Sequence, residues 1–294
     1  MVGGSGRSLG SQRGLRSPIP EADACNLACE GCSHYSNYGH KGIRSLATAE
    51  EWLAPWEGLL APKKFVLLGG EPAINRELPG YVTVSRRMFP DSEIRVTTNG
   101  FLLHRHHPAL PEALREAGNN RLIISIHHEG KEYLDKVKPS LALALEWRET
   151  YGIEVSFRAA AARWRRTYKG TGSAMEPFDD GDTRASWENC PGRHCLQVYE
   201  GNLYKCAPLA YLGMQHAKFE LSRAWEPYLA YTPLVPGCSE AELREFVGRE
   251  EEPCCEMCPA STIEYTLPSP LRTAKPGGME DGDPASAQGA SPVS

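Results

Sequence analysis

Three cysteines near the start of the chain, Cys25, Cys29 and Cys32, are spaced C-x3-C-x2-C. Three thiolates on one short loop can converge on a single soft metal centre, and thiolates favour iron–sulfur clusters or zinc. A structural zinc site needs a fourth ligand, for which His34 and His40 are candidates. A set of three thiolates instead suits a catalytic iron–sulfur cluster that leaves one iron open to a substrate. The loop therefore predicts a metal centre of one of these two kinds.

A second group of cysteines lies in the C-terminal third of the chain. Of ten cysteines, none occurs between Cys32 and Cys190 and seven fall between Cys190 and Cys258. Clustered cysteines in a reducing compartment bind metal or do chemistry more often than they form disulfides. Residues 195–206 predict a β-hairpin that turns at Gly201-Asn202 and carries a cysteine at each end. A structural zinc, or cysteines packed as small hydrophobic residues, is the alternative.

Between the two groups, short apolar runs of β type alternate with helical segments. The pattern predicts strands at 65–68, 93–98, 121–126 and 153–157, and helices at 48–60, 78–88, 111–116 and 131–151. Such alternation predicts an α/β domain with a mostly parallel sheet. Polar residues gather just after each strand, which is where barrel-type α/β enzymes place their active sites.

Two motifs together resemble the radical S-adenosylmethionine (SAM) superfamily. The first is C-x3-C-x2-C, and the second is Gly69-Gly70-Glu71-Pro72, which ends the next predicted strand. The resemblance implies a partial (β/α)6 barrel and a [4Fe–4S] cluster on Cys25, Cys29 and Cys32. It also implies that SAM chelates the fourth iron and is cleaved to a 5′-deoxyadenosyl radical.

The same resemblance implies which residues contact SAM. The Gly69–Pro72 motif would receive the SAM amino group, and further contacts would come from the ends of later strands, at Thr98, Asn99, Ser125, His127 and Arg158. In many members an aromatic residue precedes the third cysteine and packs on adenine. Here that residue is Gly31, so Tyr35 or Tyr38 is expected to provide the wall.

The second group of cysteines resembles the auxiliary-cluster appendage, of SPASM or twitch type, found in many radical SAM enzymes. It implies an auxiliary [4Fe–4S] cluster on Cys195, Cys206, Cys255 and Cys258, with Cys190 competing with Cys195. The expected organisation is a disordered N-terminus at 1–17, a radical SAM core at 18–189, a small C-terminal cysteine-rich auxiliary domain at 190–265 and a disordered tail at 266–294.

The ligand count leaves spare thiols, among which Cys254 is the predicted hydrogen donor and Cys238 the second choice. A thiol that returns hydrogen to the opposite face of a carbon radical gives an epimer. Loss of an electron to the auxiliary cluster would instead make the enzyme a dehydrogenase, and a peptide substrate would be crosslinked. The stretch before Cys25 is short for a leader-peptide recognition domain, which disfavours the last outcome.

The overall layout resembles the radical SAM epimerases of aminoglycoside antibiotic pathways. That resemblance implies a cationic aminoglycoside as substrate and an external electron donor such as flavodoxin or ferredoxin.

The net charge of −5 disfavours nucleic acid as a partner, and the basic stretch at 163–166 is expected to be a solvated face or loop. No apolar run suggests a membrane span or a secretory signal, so a cytoplasmic location is expected. A zinc- or cluster-stabilised interaction protein is the non-enzymatic alternative, which the Gly-Gly-Glu-Pro match disfavours.

Overall fold

The computed structural model describes residues 23–272, so the segment expected to be disordered at 1–17 lies outside it. The first part of the fold alternates helices and strands, in the order α1 (Leu46–Leu53), β1 (Lys64–Leu67), α2 (Leu78–Met88), β2 (Glu93–Thr98), α3 (Ala109–Ala117), β3 (Asn120–Ile126), α4 (Lys131–Tyr151) and β4 (Val155–Ala159). The second part is richer in loops and contains α5 (Thr183–Asn189), β5 (Gln197–Tyr199), β6 (Asn202–Tyr204), α6 (Ala207–Phe219), α7 (Glu226–Leu229) and α8 (Glu240–Gly248). No helix within 23–272 is long and apolar enough to cross a membrane.

The main sheet has four parallel strands in the order β1-β2-β3-β4. This confirms the predicted α/β class with a parallel sheet, and all four predicted strands are present with ends shifted by at most two residues. The expected barrel type has six strands, whereas this sheet has four within the described residues. After β4 the chain enters a 3₁₀ turn at Ala160–Arg163 and then loops.

The hydrophobic core of this unit lies between the sheet and the helices that connect its strands. Along β2 the buried residues alternate with half-buried ones, as expected for a strand whose side chains point to opposite faces. In α4 the buried residues Tyr133, Val137, Ala144 and Trp147 follow helical spacing and form one stripe. The four strands of this sheet run in one direction, so the ends of β1, β2 and β3 meet at one edge of the sheet.

Helix α1 starts two residues before its predicted position at 48. Ser45 is its N-cap, because its hydroxyl accepts a hydrogen bond from the backbone N–H of Thr48 at 3.2 Å. The α-helix ends at Leu53 and continues as a 3₁₀ turn that contains Pro55, which lacks the amide hydrogen needed for another α-helical bond.

The predicted β-hairpin is present, but its turn lies one residue earlier than expected. Tyr199 pairs with Asn202, so the turn residues are Glu200 and Gly201, with φ of 50° and 75°. Positive φ at both central residues is the geometry that matches the twist of two short antiparallel strands.

Side-chain packing connects the C-terminal region with the rest of the fold. Val198 and Leu203 of the hairpin belong to the main core, together with residues of the parallel sheet. A second hydrophobic cluster combines Tyr35 and Tyr168 with Tyr211 of α6. The domain limit predicted at residue 190 therefore does not coincide with a break in packing.

The segment 266–272 is ordered, although the sequence placed it in a disordered tail. Leu267 is buried, and Leu271 forms an antiparallel bridge with Leu27, in the first cysteine loop. The N–H of Ala28 also donates to the carbonyl of Pro270 at 2.8 Å. Pairing with a distant loop orders this segment in spite of its composition, and the rest of the predicted tail lies outside the described residues.

Candidate functional site

The first cysteine loop lies at the sheet edge where β1, β2 and β3 end. Cys29 is buried, and Cys25 and Cys32 are half-buried. Burial raises the pKa of all three thiols, that of Cys25 to about 12. Cys32 raises the pKa of both Cys25 and Cys29 further by electrostatic repulsion. The backbone amides of residues 34–37 act in the opposite direction on Cys32 and lower its pKa. Buried thiols of this kind become thiolates when a metal replaces their protons.

The Gly69–Pro72 motif packs against the start of the same loop. The N–H of Glu71 donates to the carbonyl of Ala24 at 2.9 Å. A Cβ on Gly70 would overlap that carbonyl oxygen, so the close approach of the two backbones requires glycine. The motif thus fixes the residue before Cys25 to the end of β1.

The carboxylate of Glu71 is buried and fully occupied by hydrogen bonds within the protein. One oxygen accepts from the N–H of Ala73 at 3.0 Å and from the hydroxyl of Thr98, and the other accepts from the N–H of Asn99 at 2.8 Å. Burial raises the pKa of Glu71 to about 7, although these three donors lower it. Glu71 therefore joins the end of β1 to the end of β2.

Asn99 links β2 to the cysteine loop. Its side-chain nitrogen donates to Oδ1 of Asn26 at 2.7 Å and lies 3.9 Å from the sulfur of Cys25. Of the SAM contacts predicted at this strand end, Thr98 is thus engaged with Glu71, and Asn99 lies beside a predicted iron ligand.

The end of β3 brings His127 to the cysteine loop. Its Nδ1 lies 3.7 Å from the sulfur of Cys29, and burial together with the charge of Arg158 lowers the pKa of His127 to about 4. Ser125 is buried and pairs in register with Arg158 of β4, whose side chain is exposed. The structure therefore brings Gly69–Pro72, Thr98, Asn99, Ser125 and His127 to one edge, with Arg158 at its border.

Two aromatic residues that the sequence did not identify cover Gly31. A Cβ at this position, where φ is +69°, would lie 2.6 Å from the hydroxyl of Tyr265 and 3.6 Å from the indole nitrogen of Trp164. Both groups donate to the carbonyl of Glu30, at 2.5 and 2.6 Å. An aromatic side chain at position 31 is thus replaced by rings from distant parts of the chain.

The basic stretch at 163–166 is not simply a solvated face. Trp164 packs on the cysteine loop, and Arg166 forms an ion pair with Glu30 at 2.9 Å. The guanidinium of Arg166 also lies over the ring of Tyr265. The only sequence signal was a tryptophan inside a basic run, which gave no indication of its partner.

The tyrosines predicted to pack on adenine occupy another region. Tyr35 is buried in the second hydrophobic cluster, and Tyr38 packs edge-on against Phe219 of α6. The Tyr35 hydroxyl is affected electrostatically by Cys32 of the first group and by Cys206 and Cys258 of the second. Tyr35 therefore lies between the two groups of cysteines.

Arg272 holds the first cysteine loop from the C-terminal side. Its guanidinium donates to the backbone carbonyls of Cys25, Leu27 and Ser36, each at 3.2 Å. Its charge also lowers the pKa of Cys25 and Cys29, against the larger effect of burial. Arg272 is thus positioned to stabilise both the loop and negative charge on its thiols.

Four C-terminal cysteines form a second group of mutually interacting thiols. Cys206 interacts electrostatically with Cys258, Cys190 and Cys255, and Cys258 interacts with Cys190 and Cys255. Cys195, which the sequence preferred as the fourth member, raises the pKa of Cys190 electrostatically. Cys190 thus lies within electrostatic range of Cys206, Cys255 and Cys258.

The two candidate hydrogen donors lie in different places. Cys254 is buried beside the second group, where its thiol donates to Cys255, raising its own pKa and lowering that of Cys255. Its sulfur also lies 3.9 Å from a carboxylate oxygen of Glu252. Cys238 instead packs against the main core, on the loop before α8.

The donor atoms of the first loop fit an iron–sulfur cluster better than zinc. His40 bonds Gln215 at 2.8 Å, while His34 faces Ser33 and packs on Tyr211, so neither histidine completes a Cys3His set. Within 23–272 no three His, Cys, Asp or Glu side chains are gathered closely enough to hold one ion directly. Three thiolates with one position open for a ligand such as SAM match a catalytic cluster.

Comparisons with known proteins agree with the cysteine loop and the glycine motif. Residues 21–146 match the radical SAM superfamily. Over 143 residues the chain is 33% identical to GTP 3′,8-cyclase of Rippkaea orientalis, covering 46% of this chain and 41% of that protein. The same enzyme of Microcystis aeruginosa is 30% identical over 141 residues, with 46% and 41% covered.

Two solved structures are similar at lower identity. BtrN in complex with AdoMet and 2-DOIA has a TM-score of 0.46 at 17% identity, covering 80% of this chain and 87% of BtrN. Streptococcus suis SuiB bound to S-adenosylmethionine has a TM-score of 0.40 at 17% identity, covering 49% and 33%.

The matched range contains both motifs on which the resemblance rests, C-x3-C-x2-C at 25–32 and Gly-Gly-Glu-Pro at 69–72. The chain spans about two fifths of the length of the curated relatives. The match over residues 21–146 therefore places both motifs within a region similar to the radical SAM superfamily, whose members use a [4Fe–4S] cluster and S-adenosylmethionine.

Proposed function

We propose that this protein inverts a sugar carbon of an aminoglycoside of neomycin type, converting neomycin C to neomycin B, with Cys254 as hydrogen donor. The observation that carries the proposal is a fifth thiol held beside the four-thiol group. Cys254 is buried and donates to Cys255, so a thiol that is spare in the ligand count is fixed in place.

The cofactors and Cys254 would divide the reaction between them. When bound, the cluster and SAM supply a 5′-deoxyadenosyl radical that removes one hydrogen atom from a substrate carbon. Cys254 then returns a hydrogen atom from the opposite face, which breaks its S–H bond and forms a C–H bond. Each turnover would take two electrons from an external donor such as flavodoxin or ferredoxin. One would be consumed in the cleavage of SAM, and the other, with one proton from solvent, would restore the thiol.

A cavity of about 420 Å³ between the hairpin and α6 supports a place for one end of the substrate. It is lined by tyrosines of the hairpin and of the segment after α6, including Tyr199 and Tyr231. The hydroxyl of Tyr231 is affected electrostatically by Glu252 and Cys254. Aromatic faces next to carboxylates favour a cationic ligand, which is the class proposed.

An auxiliary [4Fe–4S] cluster on Cys190, Cys206, Cys255 and Cys258 is part of the proposal, within a cysteine-rich region at 190–265. The four thiols interact electrostatically with one another, and four thiolates are sufficient for one such cluster. Their presence also favours a second candidate function. If the substrate radical loses an electron to this cluster, the product is a ketone and the enzyme is a dehydrogenase.

The test is an anaerobic reaction of the reconstituted protein with SAM, a reductant and neomycin C in heavy water, followed by mass spectrometry. The proposal predicts an isomer about one mass unit heavier, because the Cys254 thiol exchanges with solvent before it reacts. Cys254→Ala should still cleave SAM but form no isomer, whereas Cys238→Ala should behave as the wild type.

Other products would assign the chemistry differently. A product about two mass units lighter would mean oxidation and support the dehydrogenase. GTP belongs in the same assay because the curated relatives are GTP 3′,8-cyclases, and its conversion would contradict the aminoglycoside assignment. Isomer formation by Cys254→Ala would contradict the role of that thiol.

A further inference from the structure

Five residues, four in or next to the first cysteine loop and one on α6, each carry a buried polar atom with no hydrogen-bond partner among residues 23–272. The atoms are Oδ1 of Asp23, Nε2 of His34, Oγ of Ser36, Oδ1 of Asn37 and the hydroxyl of Tyr211. Tyr211 and Ser36 are each 1% exposed and Asp23 is 6% exposed. Native proteins pair nearly all of their buried polar groups, so this concentration requires an explanation.

Contacts place the central members of this set next to one another. The rings of His34 and Tyr211 are 5.3 Å apart, and Tyr211 lies 5.0 Å from Tyr199. The Tyr211 hydroxyl is affected electrostatically by Asp23, Tyr199, Arg44 and Cys32. The set therefore lies within electrostatic range of a predicted iron ligand and faces the helix that follows Cys206.

Neighbouring residues fix these side chains without using the unpaired atoms. Both terminal nitrogens of Arg44 donate to Oδ2 of Asp23 at 2.9 Å, which leaves Oδ1 unused. Nδ1 of His34 faces the hydroxyl of Ser33 at 3.3 Å, which leaves Nε2 unused. Asp23 and His34 are thus each held by one atom while the other remains available to a ligand, which is how preorganised binding sites are built.

The chemistry of the free atoms indicates the ligand. Asp23 Oδ1 and Asn37 Oδ1 are acceptors, and the hydroxyls of Ser36 and Tyr211 can accept or donate. A ligand that pairs all of them must carry several hydrogen-bond donors, as hydroxyl and ammonium groups do. An apolar ligand would leave these atoms unpaired and buried.

We propose that Asp23, His34, Ser36, Asn37 and Tyr211 form the substrate-recognition site and bind hydroxyl or ammonium groups of a small polar molecule next to the first cysteine loop. The identity of that molecule as an aminoglycoside rests on the proposed function. The residues themselves follow from the unpaired atoms and do not depend on the epimerase assignment.

The test measures binding of neomycin C to the SAM-bound holoenzyme by calorimetry, together with the melting temperature of the ligand-free protein. Tyr211→Phe removes the hydroxyl and keeps the ring, and Ser36→Ala provides a second deletion of one hydroxyl. Each should weaken binding about tenfold, because a lost hydrogen bond in a buried site costs about that factor. Tyr151→Phe, on α4, is the control and should bind as the wild type does.

The melting temperature tests the site independently of the ligand. If the Tyr211 hydroxyl is unpaired in the ligand-free protein, Tyr211→Phe removes an unsatisfied buried group and should raise the melting temperature. A lower melting temperature would show that the hydroxyl is already paired inside the protein, which would overturn the inference.

The outcomes separate this inference from the proposed function. Equal binding of neomycin C by Tyr211→Phe, Ser36→Ala and the wild type overturns the site while the proposed substrate stands. No binding by the wild type contradicts the proposed substrate, and the melting temperature of Tyr211→Phe then decides for or against the site.

Discussion

Gly70 lies directly against the carbonyl oxygen of Ala24, the residue before the first cysteine. A Cβ at position 70 would overlap that oxygen and the carbonyl carbon attached to it. The contact is between two backbones, so no side chain can move to relieve it. The glycine motif and the cysteine loop are thus positioned as one unit.

Gly70→Ala should separate the two segments. Relief of the overlap requires a backbone shift, and overpacking of this kind costs about 3 kcal/mol. We expect a lower melting temperature and less iron retained after reconstitution. Gly248→Ala is the control, because a Cβ there meets no atom within 4 Å. Iron content and melting temperature unchanged in Gly70→Ala would contradict the close approach.

Glu71→Gln should destabilise the junction of β1 and β2. The carboxylate accepts three hydrogen bonds, from Ala73, Thr98 and Asn99, and an amide nitrogen in its place would face at least one backbone N–H. The expected cost is about 1–3 kcal/mol, or about 5 °C in melting temperature. The exposed Glu57→Gln serves as control, and equal melting of Glu71→Gln and the wild type would contradict the role.

The effect of Glu71 should depend on pH. Burial raises its pKa from 4.5 to about 7 in the folded protein. A carboxyl with a raised pKa contributes stability below its unfolded pKa, and that contribution is lost as pH rises through 7. The melting temperature of the wild type minus that of Glu71→Gln should therefore decrease as the pH rises from 5 to 8. A difference that stays constant or grows over this range would contradict the raised pKa.

Cys190→Ala and Cys195→Ala should have different iron contents. Cys190 interacts electrostatically with Cys206, Cys255 and Cys258, which makes it the proposed fourth ligand. We expect the iron content to fall from about eight to about four atoms per chain in Cys190→Ala and to stay near eight in Cys195→Ala. The opposite pattern would make Cys195 the fourth ligand.

Arg272→Ala should lower the reduction potential of the first cluster. Arg272 places a positive charge at the carbonyls of Cys25, Leu27 and Ser36 and favours the more negative, reduced state. A loss of about 1 kcal/mol corresponds to a shift on the order of 40 mV for one electron. Redox titration followed by electron paramagnetic resonance measures the shift. Arg272→Lys should recover part of it and Arg244→Ala should have no effect; an unchanged potential in Arg272→Ala would contradict the role.

The sequence predicted the parts of the site that come from local patterns. The alternation of apolar runs with helices predicted all four strands, and the cysteine spacing and the glycine motif predicted the loop at their ends. Periodicity is a strong signal over segments such as α4, whose predicted and observed ends agree.

Contacts between distant segments could not be predicted from the same patterns. Trp164, Tyr265 and Arg272 reach the cysteine loop from more than 130 residues away, and their local sequence indicates only loop. Residues 266–272 have the composition of a tail, and only their pairing with Leu27 orders them.

The most direct test of the account is cleavage of SAM by the reconstituted protein under reducing, anaerobic conditions. The wild type should release 5′-deoxyadenosine and Cys29→Ala should release none. Cys238→Ala, with its thiol away from both groups, should release as much as the wild type. Release of 5′-deoxyadenosine by Cys29→Ala at the wild-type rate would contradict the assignment of the catalytic cluster to Cys25, Cys29 and Cys32.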